Sequence, residues 1–431
     1  MAEAASQGNL EQDEQSQQAG EGLTNKKERL AWYQDMAIGM YLYWTVDSQF
    51  GMVNAHSVIG ASDDYRDKYF NTLPQTFDPG AFDADWYART AKVCGFDYLC
   101  IPAKNHNGFC LWDTDTTDFN VMNTPFKRDA IREITDAARR WGVAISLYFS
   151  PDDAWWQWKH GNEPARLRDT HLPGDNPALE AYDKQQIKEL IQRYSPDMLC
   201  YDSPRPERIR GLVRYTWDLD PDILVTRGAM RTPEQDLSDK TRGPFEAHYT
   251  MGKQWQYRAG NDQNKTGRDL IALLSEIRSL GGTLLLAVGG PDGDGLLPRD
   301  KDNLVRELGL WLFVNGEAVK HVRPWRVTQE KGVFYTQAKD SDTVYAILDL
   351  PPHPKNEWRV VHLQGVDVSE RSTISVLGQS ENVVEYRPEE TSPVSFEKTP
   401  QGLRVCYQRH QRLYNDNTWP NQVVLKITHA V

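Results

Sequence analysis

Two short stretches bring together residue types suited to chemistry. Residues 104–113 read KNHNGFCLWD, a polar loop dense in hydrogen-bonding groups, and it opens directly off the apolar run Tyr98-Leu99-Cys100-Ile101. Tyr201 and Asp202 close a second apolar run that begins at Met198. In a (β/α)8 barrel the strands are buried on both faces and so read as short continuous apolar runs. The reacting groups collect on the loops at their C-terminal ends. A carboxylate and an imidazole-bearing loop at two such ends mark the catalytic rim of a barrel.

The elements that would hold these groups alternate along the chain. Strand-like runs fall at 40–44, 98–101, 143–149, 198–201, 223–225 and 283–288, and helical patterns at 83–93, 128–141, 178–194, 206–217, 266–280 and 300–314. Such alternation predicts a parallel sheet. Six units in place of eight predict an irregular barrel or elements without a clear pattern. After Trp325 the texture changes to short β-branched runs at 333–336, 343–348, 360–363, 373–377, 403–406 and 423–427, parted by Pro, Gly, Asn and Asp. That is the pattern of an antiparallel β-sandwich. The expected fold class is α/β, an irregular (β/α)8 barrel followed by a C-terminal antiparallel β-sandwich. The expected division is a disordered tail over 1–27, a barrel over 28–325 and the sandwich over 326–431, in keeping with 431 residues against about 250 for one barrel.

Composition excludes several classes of partner. The net charge is -12, with Lys and Arg scattered, so nucleic acid is not an expected ligand. No stretch is long and apolar enough to span a bilayer. Fourteen Trp and nineteen Tyr supply ring faces on which sugars stack, although most such rings belong to a core. The five Cys form no CxxC and no Cys/His metal spacing, which predicts free buried thiols. The polar residues 1–27 lack the apolar stretch of a signal peptide. They fit the start of a mature chain whose leader has been removed, and this favours an extracellular or periplasmic setting. PDGDG at 291–295 is a turn, because an EF-hand loop would need Gly at Leu297 and Glu at Asn303. No phosphate loop, nucleophile elbow or metal-spaced His pair occurs, so neither metal nor cofactor is expected. The sequon Asn264-Lys265-Thr266 is a chance match.

Five segments occur in an order and spacing that resemble the α-L-fucosidases of glycoside hydrolase family 29. They are AKNHNGFCLWDTDTTDFNVMNTPFKRD at 103–129, PDMLCYDSP at 196–204, RTPEQ at 231–235, SLGGTLLLAVGGPDGDG at 279–295 and NGEAV at 315–319. The resemblance covers roughly 37–325. It implies an irregular barrel with a C-terminal sandwich and retaining, cofactor-free hydrolysis of terminal α-L-fucose from oligosaccharides or glycoconjugates.

That chemistry needs two carboxyl groups about 5 Å apart, one to attack the anomeric carbon and one to protonate the leaving oxygen and later activate water. By the resemblance Asp202 is the nucleophile; the alternative is a helix N-cap, since Asp-Ser-Pro also starts helices. Glu246 in GPFEAHYTM is the expected acid/base at a strand end, with Glu234 and Asp153 next in order and a solvated surface charge as the alternative for each. The expected sugar contacts are Tyr43, Trp44, Lys104, Asn105, His106, Trp112, Tyr148, Trp155, Trp156 and Arg227. Trp155, Trp156 and Trp158 either stack on a sugar or pack between rim loops. Arg227 reaches the site or forms a surface ion pair, and Lys104 bonds rim carboxylates or serves the fold.

Three departures from the family pattern bear on the substrate. Tyr43-Trp44-Thr45 stands where the family carries His-Trp-Gly, and Asn105 replaces the first His of a His-His pair whose second, His106, is retained. SDDY at 62–65 stands where the family has a Glu-Trp that closes over the sugar methyl. These changes admit a related glycone such as an α-L-galactoside. A sugar-binding barrel without catalysis is the reading from another class, and two retained carboxylates count against it.

Overall fold

The computed structural model describes residues 23–53, 55–165, 171–203, 205–240, 242–260, 262–382, 389–414 and 418–431. Seven strands form one curled parallel sheet: β1 (Ile38–Tyr41), β2 (Tyr98–Lys104), β3 (Ala144–Phe149), β4 (Met198–Tyr201), β5 (Leu224–Val225), β6 (Glu246–Thr250) and β7 (Thr283–Ala287), in the spatial order β5-β4-β3-β2-β1-β7-β6. All are short, and all but β6 are largely apolar, because both faces are covered, one by helices and the other by the barrel interior. Alternation then sends Tyr98, Cys100, Tyr148, Met198, Cys200, Leu224, Leu285 and Ala287 inward as one cluster, while Leu99, Ile101, Leu147 and Leu199 face the helical layer.

The helices begin and end where their local chemistry dictates. Asp83 accepts from Trp86 N and Asp129 from Arg132 N, each capping the helix it precedes (Ala84–Val93 and Ala130–Trp141). Thr266 and Asp269 close a capping box at Gly267–Leu280, and that helix stops at Gly281, whose φ of 90° suits glycine alone without strain.

The strand β6 escaped the sequence pattern, because Glu246, His248 and Thr250 alternate polar groups into the barrel where an apolar run was expected. Beside it Arg231–Gln235 forms an irregular ladder, with Glu246 N bonding Arg231 O at 3.1 Å, His248 N bonding Pro233 O at 2.9 Å and Gln235 N bonding His248 O at 3.0 Å. This segment fills the side of the barrel between β6 and β5. β1 starts and ends earlier than the expected 40–44, though Leu42, Tyr43 and Trp44 continue it as buried chain.

The tail expected over 1–27 is shorter at its inner end. Leu23 is buried, Asn25 exchanges two hydrogen bonds with the Val225 backbone at 2.7 and 2.8 Å, and Lys27–Gln34 is a helix over the barrel floor. Residues 1–22 lie outside the described residues. At the other end, Val322–Glu330 runs through the boundary expected at 325/326. It is the first strand of an antiparallel sheet ordered Ile374–Val376, Val423–Ile427, Val344–Leu348, Val333–Ala338, Val322–Glu330. A three-stranded sheet of Trp358–Leu363, Gly402–Gln408 and Ser395–Thr399 completes the sandwich. Trp311 ties the domains together, donating from Nε1 to Gln422 O at 2.9 Å.

Candidate active site

Asp202 is the first residue past β4, held by its backbone N on Phe149 O at 2.9 Å. It caps no helix, for the next α-helix begins only at Arg210 with Ile209 before it. Its carboxylate is occupied on both oxygens: Oδ1 accepts from Arg227 Nη1 at 2.9 Å, and Oδ2 lies 2.5 Å from His106 Nε2. His106 is fixed from behind by Asp152, whose Oδ1 meets its Nδ1. A cation on one oxygen and an imidazole on the other favour the ionised, nucleophilic form of Asp202.

Arg227 follows β5 and is buried. Besides Asp202 it reaches Thr232 Oγ1 through Nε at 3.3 Å and Glu234 Oε2 through Nη2 at 2.5 Å. One guanidinium therefore carries Asp202 and Glu234 on neighbouring nitrogens, which brings the two carboxyls onto one side chain. The Glu234 side chain is 34% exposed against 12% for Asp202. The less buried carboxyl can meet water, as an acid/base must.

Around these charges stand aromatic rings. Tyr148 packs on Tyr41 at 5.0 Å, Tyr41 on Tyr43 at 5.1 Å, and Tyr43 faces Trp255 at 6.4 Å. Burial, with the Asp202 charge adding to it, pushes the Tyr148 hydroxyl pKa up. Of the expected contacts, Tyr43, His106, Tyr148 and Arg227 thus gather at the mouth with Asp202.

Glu246 does not join them. It opens β6 instead of ending it, so it lies at the N-terminal floor of the barrel, as does Tyr98, the first residue of β2. There it accepts from Tyr98 Oη at 2.8 Å and Tyr33 Oη at 3.0 Å and meets His248 Nε2 at 2.7 Å. Burial alone would push its pKa up, but the hydrogen bonds and charge from His248, with Tyr98, outweigh burial and hold the carboxyl below its ordinary value. A fully buried carboxylate closed on Tyr98, Tyr33 and His248 has no free oxygen turned toward the barrel mouth. With Cys200, Glu246 and His248 form a group whose ligand atoms lie within 4.8 Å of one another. A metal fits it poorly, because carboxylate and imidazole are already closed on each other and burial with Glu246 nearby pushes the thiol's pKa up.

Other expected contacts belong to the fold. A register shift between Pro102 and Lys104 turns Lys104 away from the barrel mouth, and its Nζ meets Asp183 at 2.8 Å and Asp153 at 3.2 Å. Asp153, the other acid/base candidate, is spent on that bond and on capping Ala154–Lys159 through Trp156 N at 2.7 Å. Trp44 stacks on Phe82 at 4.6 Å in the outer core, and buried Trp112 donates to Glu189 at 3.1 Å. Trp155 stacks on Phe119 at 4.7 Å and Trp156 on His160 at 3.9 Å, so rim packing holds both rings. Asn105 is buried: its Oδ1 accepts from the His106 backbone at 2.8 Å and from Ser150 Oγ at 3.4 Å, while its Nδ2 has no hydrogen-bond partner among the described residues, so the loop employs only one edge of the amide. Sequence reasoning missed Asp152 and Trp255, which carry no motif of their own. It ranked Glu234 second because a loop carboxylate in RTPEQ gave no sign of its bond to Arg227.

Comparison with known proteins places the chain in a family. A family model described as alpha-L-fucosidase matches residues 4–317. An alpha-L-fucosidase of Dictyostelium discoideum is 24% identical over 375 residues, covering 76% of this chain and 79% of its own. The Thermotoga maritima alpha-fucosidase in complex with fucose superposes with a TM-score of 0.71 at 22% identity, covering 94% of this chain and 100% of that one. A Bacteroides thetaiotaomicron family 29 alpha-L-fucosidase, trapped as a covalent intermediate with 2-fluoro-fucosyl fluoride, superposes with a TM-score of 0.72 at 19% identity, covering 95% and 98%. No helix among the described residues is long and apolar enough to cross a membrane.

Proposed function

The chain belongs to the α-L-fucosidase family, and from that premise we propose that it is a retaining exo-glycosidase removing terminal α-L-fucosyl residues, with Asp202 as nucleophile and Glu234 as acid/base. The observation that carries the assignment is Arg227, bonded to Asp202 at 2.9 Å and to Glu234 at 2.5 Å.

In the first half-reaction an Asp202 oxygen attacks the anomeric carbon while Glu234 gives its proton to the departing oxygen, leaving a glycosyl ester on Asp202 and Glu234 as carboxylate. In the second, Glu234 takes a proton from water, the oxygen of that water attacks the anomeric carbon, and Asp202 leaves as carboxylate. Arg227 suits the alternation. Its guanidinium, bonded to both Asp202 and Glu234, keeps the two carboxyls on one scaffold through both steps. The partly exposed position of Glu234 gives water its approach. Tyr43, Tyr148 and Trp255 offer ring faces to the sugar.

Leaving-group dependence tests the pair. Asp202→Asn is expected to lower turnover on aryl and natural glycosides alike by several orders of magnitude. Glu234→Ala is expected to slow poor leaving groups far more than nitrophenyl ones at glycosylation. Added azide should restore the Glu234 variant and yield a glycosyl azide of retained configuration. Equal losses on good and poor leaving groups would remove Glu234 from the role.

A further inference from the structure

A cavity opens on the catalytic face between the loops that follow β1, β2 and β3, with Ala55, Ile59, His106, Asp152, Gln157 and His171 in its wall. Gln157 is 2% exposed, and among the described residues neither its Nε2 nor its Oε1 has a hydrogen-bond partner. A buried amide left without partners costs stability on both its donor and its acceptor, and both edges of Gln157 are open to a hydroxyl group that enters the cavity. The Gln157 backbone is fully employed by the helix Ala154–Lys159, its N bonding Asp153 O at 3.0 Å and its O accepting from Asn162 at 2.9 Å, which holds the side chain in place.

The chemistry of the wall selects the occupant. An amide presents one donor edge and one acceptor edge, and an alcohol hydroxyl can answer both. An anion would meet the carboxylate of Asp152, and an apolar group would leave the amide unpaired. His106 forms the partition to the nucleophile: Nδ1 faces Asp152 on the cavity side and Nε2 lies 2.5 Å from Asp202. A sugar with its anomeric carbon at Asp202 therefore has this cavity one imidazole away.

We propose that the cavity is a glycone subsite in which Gln157 reads one hydroxyl of the sugar, a reading that rests on Asp202 being where the glycone sits. It makes Gln157 a specificity-determining residue on the helix after β3, a position that none of the sequence motifs marks.

The test compares kcat/KM of wild type and Gln157→Leu on five nitrophenyl glycosides: α-L-fucoside, its 2-, 3- and 4-deoxy forms, and α-L-galactoside, which carries a hydroxyl at carbon 6. Ratios between substrates on one preparation cancel the folded fraction, and Gln157→Met serves if the Leu variant does not fold. The expected result is that wild type prefers the hydroxylated member at one carbon by about tenfold or more, and that the variant loses that preference alone. A variant that rescales all five substrates equally overturns the subsite and leaves the fucosidase reading standing. Wild type that hydrolyses none of the five overturns that reading, and the subsite with it.

Discussion

Tyr98 donates its hydroxyl to Glu246 at 2.8 Å, and each is the first residue of its strand. The bond joins β2 to β6 across the floor of the barrel, at the end of the sheet opposite Asp202. With Tyr33 above the floor and His248 two residues along, it makes a closed polar network in an otherwise apolar interior.

That network predicts a structural phenotype for Glu246. Glu246→Gln should cost about 3 to 5 kcal/mol, the usual loss when one partner of a buried ionic network is removed, by denaturant melts. The ratio of rates on good and poor leaving groups should stay at the wild-type value. A changed ratio with unchanged stability would return Glu246 to the chemistry.

Lys104 makes the same kind of prediction on the outer side of the sheet. Its ammonium is completely buried, and although burial pushes its pKa down, Asp183 and Asp153 outweigh that and hold the charge. Lys104→Met strands both carboxylates and should destabilise by about 3 to 5 kcal/mol, while KM of the folded fraction stays near wild type. A large rise in KM in a fully stable variant would put Lys104 in contact with substrate.

Two tryptophans separate packing from binding. Trp155 lies in the aromatic cluster of Phe70, Phe119 and Trp158, whereas Trp255 faces Tyr43 at the barrel mouth. Trp155→Ala should lower stability by about 3 to 5 kcal/mol through the cavity it leaves. Trp255→Ala should leave the melting temperature within a few degrees and raise KM several-fold. The reverse pattern would exchange their roles.

Stability should fall on the alkaline side because of Asp47. Tyr69 Oη bonds its Oδ1 at 2.7 Å and Asn107 Nδ2 its Oδ2 at 3.1 Å, yet burial dominates and pushes the carboxyl from 3.8 up to about 7. A group raised in the folded state holds its proton more tightly there than in the unfolded chain. Its contribution is therefore fully present below about pH 4 and lost as pH rises through about 7. Wild type should melt at a lower temperature at pH 8 than at pH 5.5, and Asp47→Asn, which carries no charge at either pH, should narrow that difference. Equal pH dependence in the two proteins would show that Asp47 is ionised throughout.

What the sequence determined by itself was the architecture and one carboxylate. Apolar runs buried on both faces, separated by capped helices, can only become a parallel sheet inside helices. Asp202 at the end of the run 198–201 could only emerge on the C-terminal rim. The helix ends were legible in Asp83, Asp129 and Thr266, because capping is local chemistry. The carboxylate proposed as the partner of Asp202 was not legible. Glu234 and Glu246 are twelve positions apart and equally plausible as letters, and the choice between them depends on which end of β6 is the floor and on where Arg227 extends. Both are long-range facts, fixed by the register of β6 against β7 and of 231–235 against β6. The same holds for Lys104, whose direction was reversed by one register shift between Pro102 and Lys104. In a strand with a period of two residues, such a shift moves a side chain from one face to the other.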